Sequence, residues 1–106
     1  MTAKHSKITT CSKSLKLLGD YWTLRILETL SSREMRYCEL QRATDNVNPV
    51  TLTNRLLKLE RAGLVYRAAE AEDKISVSYG LSELGLRALP VLSAIGGFSR
   101  AYTKSH

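Results

Sequence analysis

The chain is predicted to fold as a mainly α-helical domain with one small β-hairpin, and three observations carry that prediction. Residues 37–63 read as a short helix, a polar turn and a capped cationic helix; a stretch of period-two alternation follows; elsewhere apolar residues recur three and four apart. Helix, turn, helix, hairpin and helix in that order are the layout of a winged helix-turn-helix.

Taken from the start, residues 1–10 are polar, cationic and without period, and read as a flexible basic arm. Over residues 11–18, Cys11, Leu15 and Leu18 share one helical face with Lys13 and Lys16 outside, and Gly19 ends the helix. On that stripe Cys11 reads as a buried structural thiol. Asp20 is placed to cap the next helix, whose Thr23, Ile26, Leu27 and Leu30 share a face, with Trp22 adding a large buried surface. Residues 33–37 are too short for a helix and are expected to form an extended link or edge strand.

The first helix of the central pair spans about residues 38–43, with Leu40 and Ala43 inward and Glu39, Gln41 and Arg42 outward. Cys38, at its start, reads as packing or as a substitute for a polar cap. Thr44, Asp45, Asn46, Val47 and Asn48 make the turn, and Val47 plugs the elbow between the helices. Asn48 caps the second helix, Pro49 suits its first position, where no N–H is needed, and Gly63 stops it, so it runs over about residues 49–62. Leu52, Leu56 and Leu59 form a narrow stripe that must face a core, leaving Thr51, Asn54, Arg55 and Lys58 on the opposite side. Short hydrogen-bonding side chains and cations are what reach base edges and phosphates in a major groove. An ordinary solvated face is the other reading those residues allow.

Residues 64–67 are strand-forming, residues 68–73 polar and turn-like, and residues 74–81 alternate with Ile75, Val77 and Tyr79 on one side. This hairpin is the expected wing. Ser82 caps a last helix in which Leu84, Ala88, Val91 and Ile95 make one stripe and Leu86, Leu89 and Leu92 widen it; Pro90 is expected to kink it and Gly96 and Gly97 to end or bend it. The domain is thus expected over residues 11–98, with a loose tail at 99–106. A helix apolar on more than one side needs two partners, its own core and a second subunit.

Composition narrows the function. A chain of 106 residues with 43% hydrophobic residues can build one small core, which gains from burying further surface in a partner. The formal net charge of +6 and pI near 9.6 favour a polyanion, and nucleic acid is the commonest. The basic excess brackets the helix-turn-helix, whereas residues 68–83 carry a net −3. Two cysteines, Cys11 and Cys38, are too few for a disulfide framework or a four-thiolate zinc site, and no secretory signal pattern opens the chain, so the expected compartment is the cytoplasm. The most apolar stretch, residues 88–98, is too short and too interrupted for a membrane span. His5 and His106 lie in the ends, and no glycine-rich phosphate loop or metal-ligand cluster occurs, so neither an enzyme, a cofactor nor a metal is expected.

Five motifs in order then carry a resemblance: Leu-Leu-Gly-Asp-Tyr-Trp-Thr-Leu at 17–24, Tyr-Cys-Glu-Leu at 37–40, Asn-Pro-Val-Thr-Leu-Thr-Asn-Arg-Leu at 48–56, Leu-Glu-Arg-Ala-Gly-Leu-Val at 59–65 and Leu-Ser-Glu-Leu-Gly at 81–85. Over about residues 11–95 the chain resembles the HxlR-type winged-helix transcriptional regulators, related more distantly to MarR-type ones. The resemblance implies a homodimer joined through its N- and C-terminal helices, double-stranded DNA with a palindromic operator as partner, and a small-molecule or oxidant effector. It also marks departures. The redox cysteine of many relatives would fall near Thr9, so Cys11, the possible redox residue here, stands two residues out of that register; Val50 and Leu57 stand where relatives usually carry a cation.

The function expected from all of this is a sequence-specific DNA-binding regulator. Thr51, Thr53, Asn54 and Arg55 are expected near bases, with Asn48 at the start of the reading helix. Arg36, Lys58, Arg67 and Lys74 are expected on or near phosphates, while the acidic hairpin tip weakens the wing. The alternative is a winged helix used as a protein-interaction module, with Leu57 and the last helix docking a partner chain, motivated by the acidic tip and Val50.

Overall fold

The computed structural model describes residues 8–70 and 73–105, without the side chains of residues 70 and 73–76. The elements are α1 (Ser12–Leu18), α2 (Tyr21–Leu30), β1 (Met35–Arg36), α3 (Tyr37–Ala43), α4 (Pro49–Arg61), β2 (Val65–Glu70), β3 (Asp73–Leu81), α5 (Glu83–Leu86) and α6 (Leu89–Ser105). The strands form one antiparallel sheet in the order β1-β3-β2. The expected edge strand therefore closes the hairpin into a three-stranded wing, with Met35 opposite Tyr79 and Arg67 opposite the same tyrosine from the other side.

The core is built where helical spacing placed it. Ile26, Leu27 and Leu30 of α2, Leu40 of α3 and Leu52, Leu56 and Leu59 of α4 are buried together with Val47 from the turn and Leu64 and Val65 at the entry to the sheet. Trp22 is partly buried against this cluster and meets Tyr21 edge-on, so it anchors the core from its rim.

Helix α4 ends as its glycine requires. Gly63 has φ 83°, the left-handed conformation that a Cβ disfavours, and the Leu64 N–H reaches back to the Leu59 carbonyl at 2.9 Å while the Gly63 N–H reaches Glu60 at 3.0 Å. Ser82 then ties the wing back: its hydroxyl donates to the Gly63 carbonyl and accepts from the Gly85 N–H. Gly85 packs so closely on the Leu64 carbonyl that a Cβ there would overlap it.

Several expectations are corrected. Cys11 is the N-cap residue of α1 and is exposed, because the helix begins only at Ser12 and none of its seven residues is buried; Cys38 is exposed as well. Ala43 is exposed and Thr44 is buried in its place, since α3 ends there and the Thr44 hydroxyl satisfies itself on the Leu40 carbonyl at 2.7 Å. Residues 68–70, expected in the turn, belong to β2. The last helix is two helices: α5 ends at Leu86, and Pro90 sits at the second residue of α6, where its missing N–H has no intrahelical partner to lose, so it starts a helix instead of kinking one. Gly96 and Gly97 lie inside α6, which runs through the expected loose tail to Ser105. Of the basic arm, residues 1–7 lie outside the described residues, as do Ala71 and Glu72 of the acidic tip.

Candidate nucleic-acid interface

The turn between α3 and α4 is made by residues that tolerate it. Asp45 and Asn46 both adopt left-handed backbone, with φ 58° and 54°, which short polar side chains accept more readily than others. The Asn46 N–H returns to the Gln41 carbonyl at 2.9 Å, and Gln41 Nε2 donates to the Val47 carbonyl at 3.0 Å, so the chain is closed on itself while Val47 is pressed inward at 2% exposure. Asn48 Oδ1 then accepts from the Val50 N–H at 2.8 Å and the Thr51 N–H at 3.4 Å, capping α4. That engagement makes Asn48 the start of the helix in a mechanical sense.

Around its axis α4 has four sides with different fates. Leu52, Leu56 and Leu59 face the core. One flank carries half-buried Thr51 and Arg55, together with Lys58, and leans on the α1–α2 junction. There Arg55 binds Asp20 with two hydrogen bonds, Nε to Oδ2 at 2.8 Å and Nη2 to Oδ1 at 3.1 Å, and Lys58 Nζ donates to the Lys16 carbonyl at 3.3 Å. The other flank is held by Tyr37, whose hydroxyl donates to the Pro49 carbonyl at 3.2 Å and shares a 3.3 Å hydrogen bond with Thr53 Oγ1. The fourth side, with Val50, Asn54, Leu57 and Arg61, is exposed.

Asp20 therefore serves two helices at once. It caps α2 by accepting from the Thr23 N–H at 2.9 Å and the Thr23 hydroxyl at 3.0 Å, and it anchors α4 through Arg55. The Arg55 guanidinium, ahead of the two Thr23 donors, holds its carboxyl well below the usual carboxylate range, against the opposing cost of partial burial. Placed on the outward side by spacing alone, Arg55 is instead occupied in this clamp. The structure adds Arg61, which spacing had not singled out: it stands at the end of the outward stripe, in the last turn of α4.

The remaining basic residues are not gathered on one surface. Arg36 pairs opposite Ser78 and Arg67 opposite Tyr79, one residue out of phase, so the two leave opposite faces of the sheet. Arg36 also donates its N–H to Glu39 at 2.9 Å, which closes the start of α3. Lys74 belongs to β3, and its side chain lies outside the described residues. Cys11, exposed at the start of α1, has its thiol pulled below its ordinary value first by the Ser14 N–H and then by the Lys13 N–H, although it closes no hydrogen bond of capping geometry. No cluster of three or more histidine, cysteine or carboxylate ligands occurs among the described residues, and none of their helices is long and apolar enough to cross a membrane.

Comparison with known proteins adds the following. A family model described as HxlR-like helix-turn-helix matches residues 17–106. YdzF of Bacillus subtilis (strain 168), an uncharacterized HTH-type transcriptional regulator, is 31% identical over 94 residues that cover 88% of this chain and 86% of that protein. A solved structure from Porphyromonas gingivalis W83, assigned to the MarR family of transcriptional regulators, superposes with a TM-score of 0.78 at 31% identity, covering 89% of this chain and 96% of that one. The structure of ytcD, assigned as an HTH-type transcriptional regulator, superposes with a TM-score of 0.83 at 26% identity over 92% of this chain and 99% of the other.

Proposed function

The chain belongs to the HxlR-like helix-turn-helix family, a family of transcriptional regulators, and from that premise we propose that it reads duplex DNA sequence-specifically as a homodimer with α4 in the major groove. The observation that carries this reading is the mounting of α4: three of its sides are fixed by the core, by Asp20 and Lys16, and by Tyr37, while Val50, Asn54, Leu57 and Arg61 are left outward. A helix so held presents its outer residues in one geometry, as base-edge contact demands. Asn54 is placed for base edges and Thr51 and Thr53 for the groove walls; Arg61, Lys58, Arg36 and Arg67 supply phosphate contacts, with Lys74 near the wing tip. Arg55 acts by positioning the helix. Such a role belongs to the cytoplasm.

The dimer reading rests on α1 and α6. Over its 17 residues α6 has none buried, and Val91, Ile95, Phe98 and Tyr102 are exposed along it, as are Ile8 and Leu15 at the other end of the chain. Two-fold pairing through these helices would match a palindromic operator. Cys11, exposed and with a lowered thiol pKa at the head of α1, is where an oxidant effector would act.

Exposed Val50 and Leu57 also favour a second reading, in which the α4 face docks a partner protein. A titration of the protein against the fragment upstream of its own gene and against random duplex, at two salt concentrations and with and without diamide, separates the two. Log affinity for DNA is expected to fall with log salt by about 0.9 for each phosphate neutralised, steeply enough to follow over a modest salt change. Binding that ignores salt, or equals that of random duplex, would remove the sequence-specific DNA reading. Loss of binding on diamide treatment that Cys11→Ser prevents would support the effector site.

A further inference from the structure

From Pro49 to Leu57, its first two and a half turns, the outward stripe of α4 offers no free guanidinium. Val50 is 68% exposed and Leu57 41% exposed, and Asn54 stands exposed between them, the three following one another at i, i+4 and i+7 along one line of the helix. The arginine of this stretch, Arg55, spends both Nε and Nη2 on Asp20. Thr53, the other exposed polar residue here, shares its hydroxyl with Tyr37.

The major groove has a chemical code that such a set can read only in part. Guanine is read best by arginine or lysine at O6 and N7, adenine by an asparagine or glutamine amide at N6 and N7, and thymine by apolar contact with its C5-methyl group. This stretch of α4 holds the amide and the apolar groups and lacks the free arginine. Recognition helices of this kind place their N-terminal residues on base edges, and Val50 is the second residue of α4. The four-residue step from Val50 to Asn54 advances about 6 Å along the axis, roughly two base-pair steps.

Resting on the DNA-reading role above, we propose that Val50 and Asn54 are the specificity-determining residues of α4 and that they select A·T pairs at the centre of each half-site. The Val50 isopropyl group packs on a thymine methyl, and the Asn54 amide donates to adenine N7 and accepts from its N6 amino group. Arg55, which the sequence pattern places near bases, is excluded from that part by its clamp to Asp20.

In vitro selection of duplexes from a random pool with the full-length protein gives the half-site, and each thymine in it is then replaced by deoxyuridine, which removes only the C5-methyl group. The expected half-site has A·T pairs at its centre. One thymine-to-deoxyuridine replacement is expected to weaken the wild-type protein about fourfold, the worth of one buried methyl, and to leave Val50→Ala unchanged. Asn54→Ala is expected to bind the A·T site and its G·C replacement alike. Val50→Ser repeats the test, and melting curves check that each variant folds. A half-site with G·C pairs throughout its centre, wild-type binding indifferent to every deoxyuridine replacement, or full methyl sensitivity in Val50→Ala would overturn the proposal while leaving sequence-specific DNA binding intact. Enrichment of no sequence at all would overturn both.

Discussion

Helices α4 and α6 are alike in length and unlike in everything that holds them. Over 13 residues α4 buries three leucines, starts on an asparagine cap and a proline, and ends on a left-handed glycine. Over 17 residues α6 buries none and carries two glycines in its interior. Helices of this length are marginal in water on propensity alone, and two glycines lower that further by about 1 kcal/mol each relative to alanine. The monomer's core accounts for α4, whereas α6 reaches that core only through partly buried residues such as Leu92, and the second subunit proposed above would supply the surface it lacks. That contrast is what supports the proposed second subunit.

The largest expected effect comes from removing what α4 has and α6 lacks. Leu56→Ala should cost about 2–5 kcal/mol in urea unfolding, whereas Ile95→Ala, in the half-exposed middle of α6, should cost much less in dilute protein; equal costs would break the comparison. Next in size is Asp20→Ala, which removes the α2 cap and frees α4 from its anchor and is expected to cost about 1–2 kcal/mol. Arg55→Ala leaves the cap in place and should cost less; if it cost more, the cap and not the clamp would be the minor part.

The same carboxylate gives the comparison a pH dependence. Because the folded-state pKa of Asp20 is depressed, the stability it contributes is present above its ordinary value of 3.8 and is lost as pH falls through the lower folded value. The melting-temperature gap between the wild type and Asp20→Asn should therefore stand at neutral pH and close as pH drops below 3.8. A gap that widened in acid would contradict the clamp. The smallest expected change in fold stability is that of Phe98→Asp, about 0.5 kcal/mol or less for an exposed side chain. In the proposed dimer it should nevertheless shift the protein to monomer in sedimentation and weaken operator binding.

What could be read from the sequence was local. The Asn48 cap, Pro49 and the leucine stripe of α4 depend on residues within a turn or two of one another, and so does Asp20 as the cap of α2. What could not be read depends on distance. Arg55 meets Asp20 across 35 positions, and nothing in the pattern of α4 separates a guanidinium facing solvent from one leaning on a neighbouring helix junction. A signal was nonetheless present, since a carboxylate cap within a basic region is a natural anchor for one of its cations. Cys11 lay on an apolar stripe by spacing, but the helix starts one residue after it and buries none of its seven residues, so the stripe is not a buried one. Pro90 was legible as a breaker, yet whether it kinks a helix or begins one turned on the break at Arg87 and Ala88.

The two glycines of α6 have a mechanical consequence. At 1.5 Å per residue the 17-residue helix is a rod about 26 Å long, with Gly96 and Gly97 at its midpoint. A Cβ built at Gly96 would touch nothing within 4 Å, and one at Gly97 would meet only Arg100 at 3.6 Å, so nothing among the described residues demands their bareness. Paired small residues are where helices bend most readily. In the dimer proposed above, the elasticity of α6 would be concentrated at that midpoint, and two missing methyl groups would set how readily its two halves shift against each other.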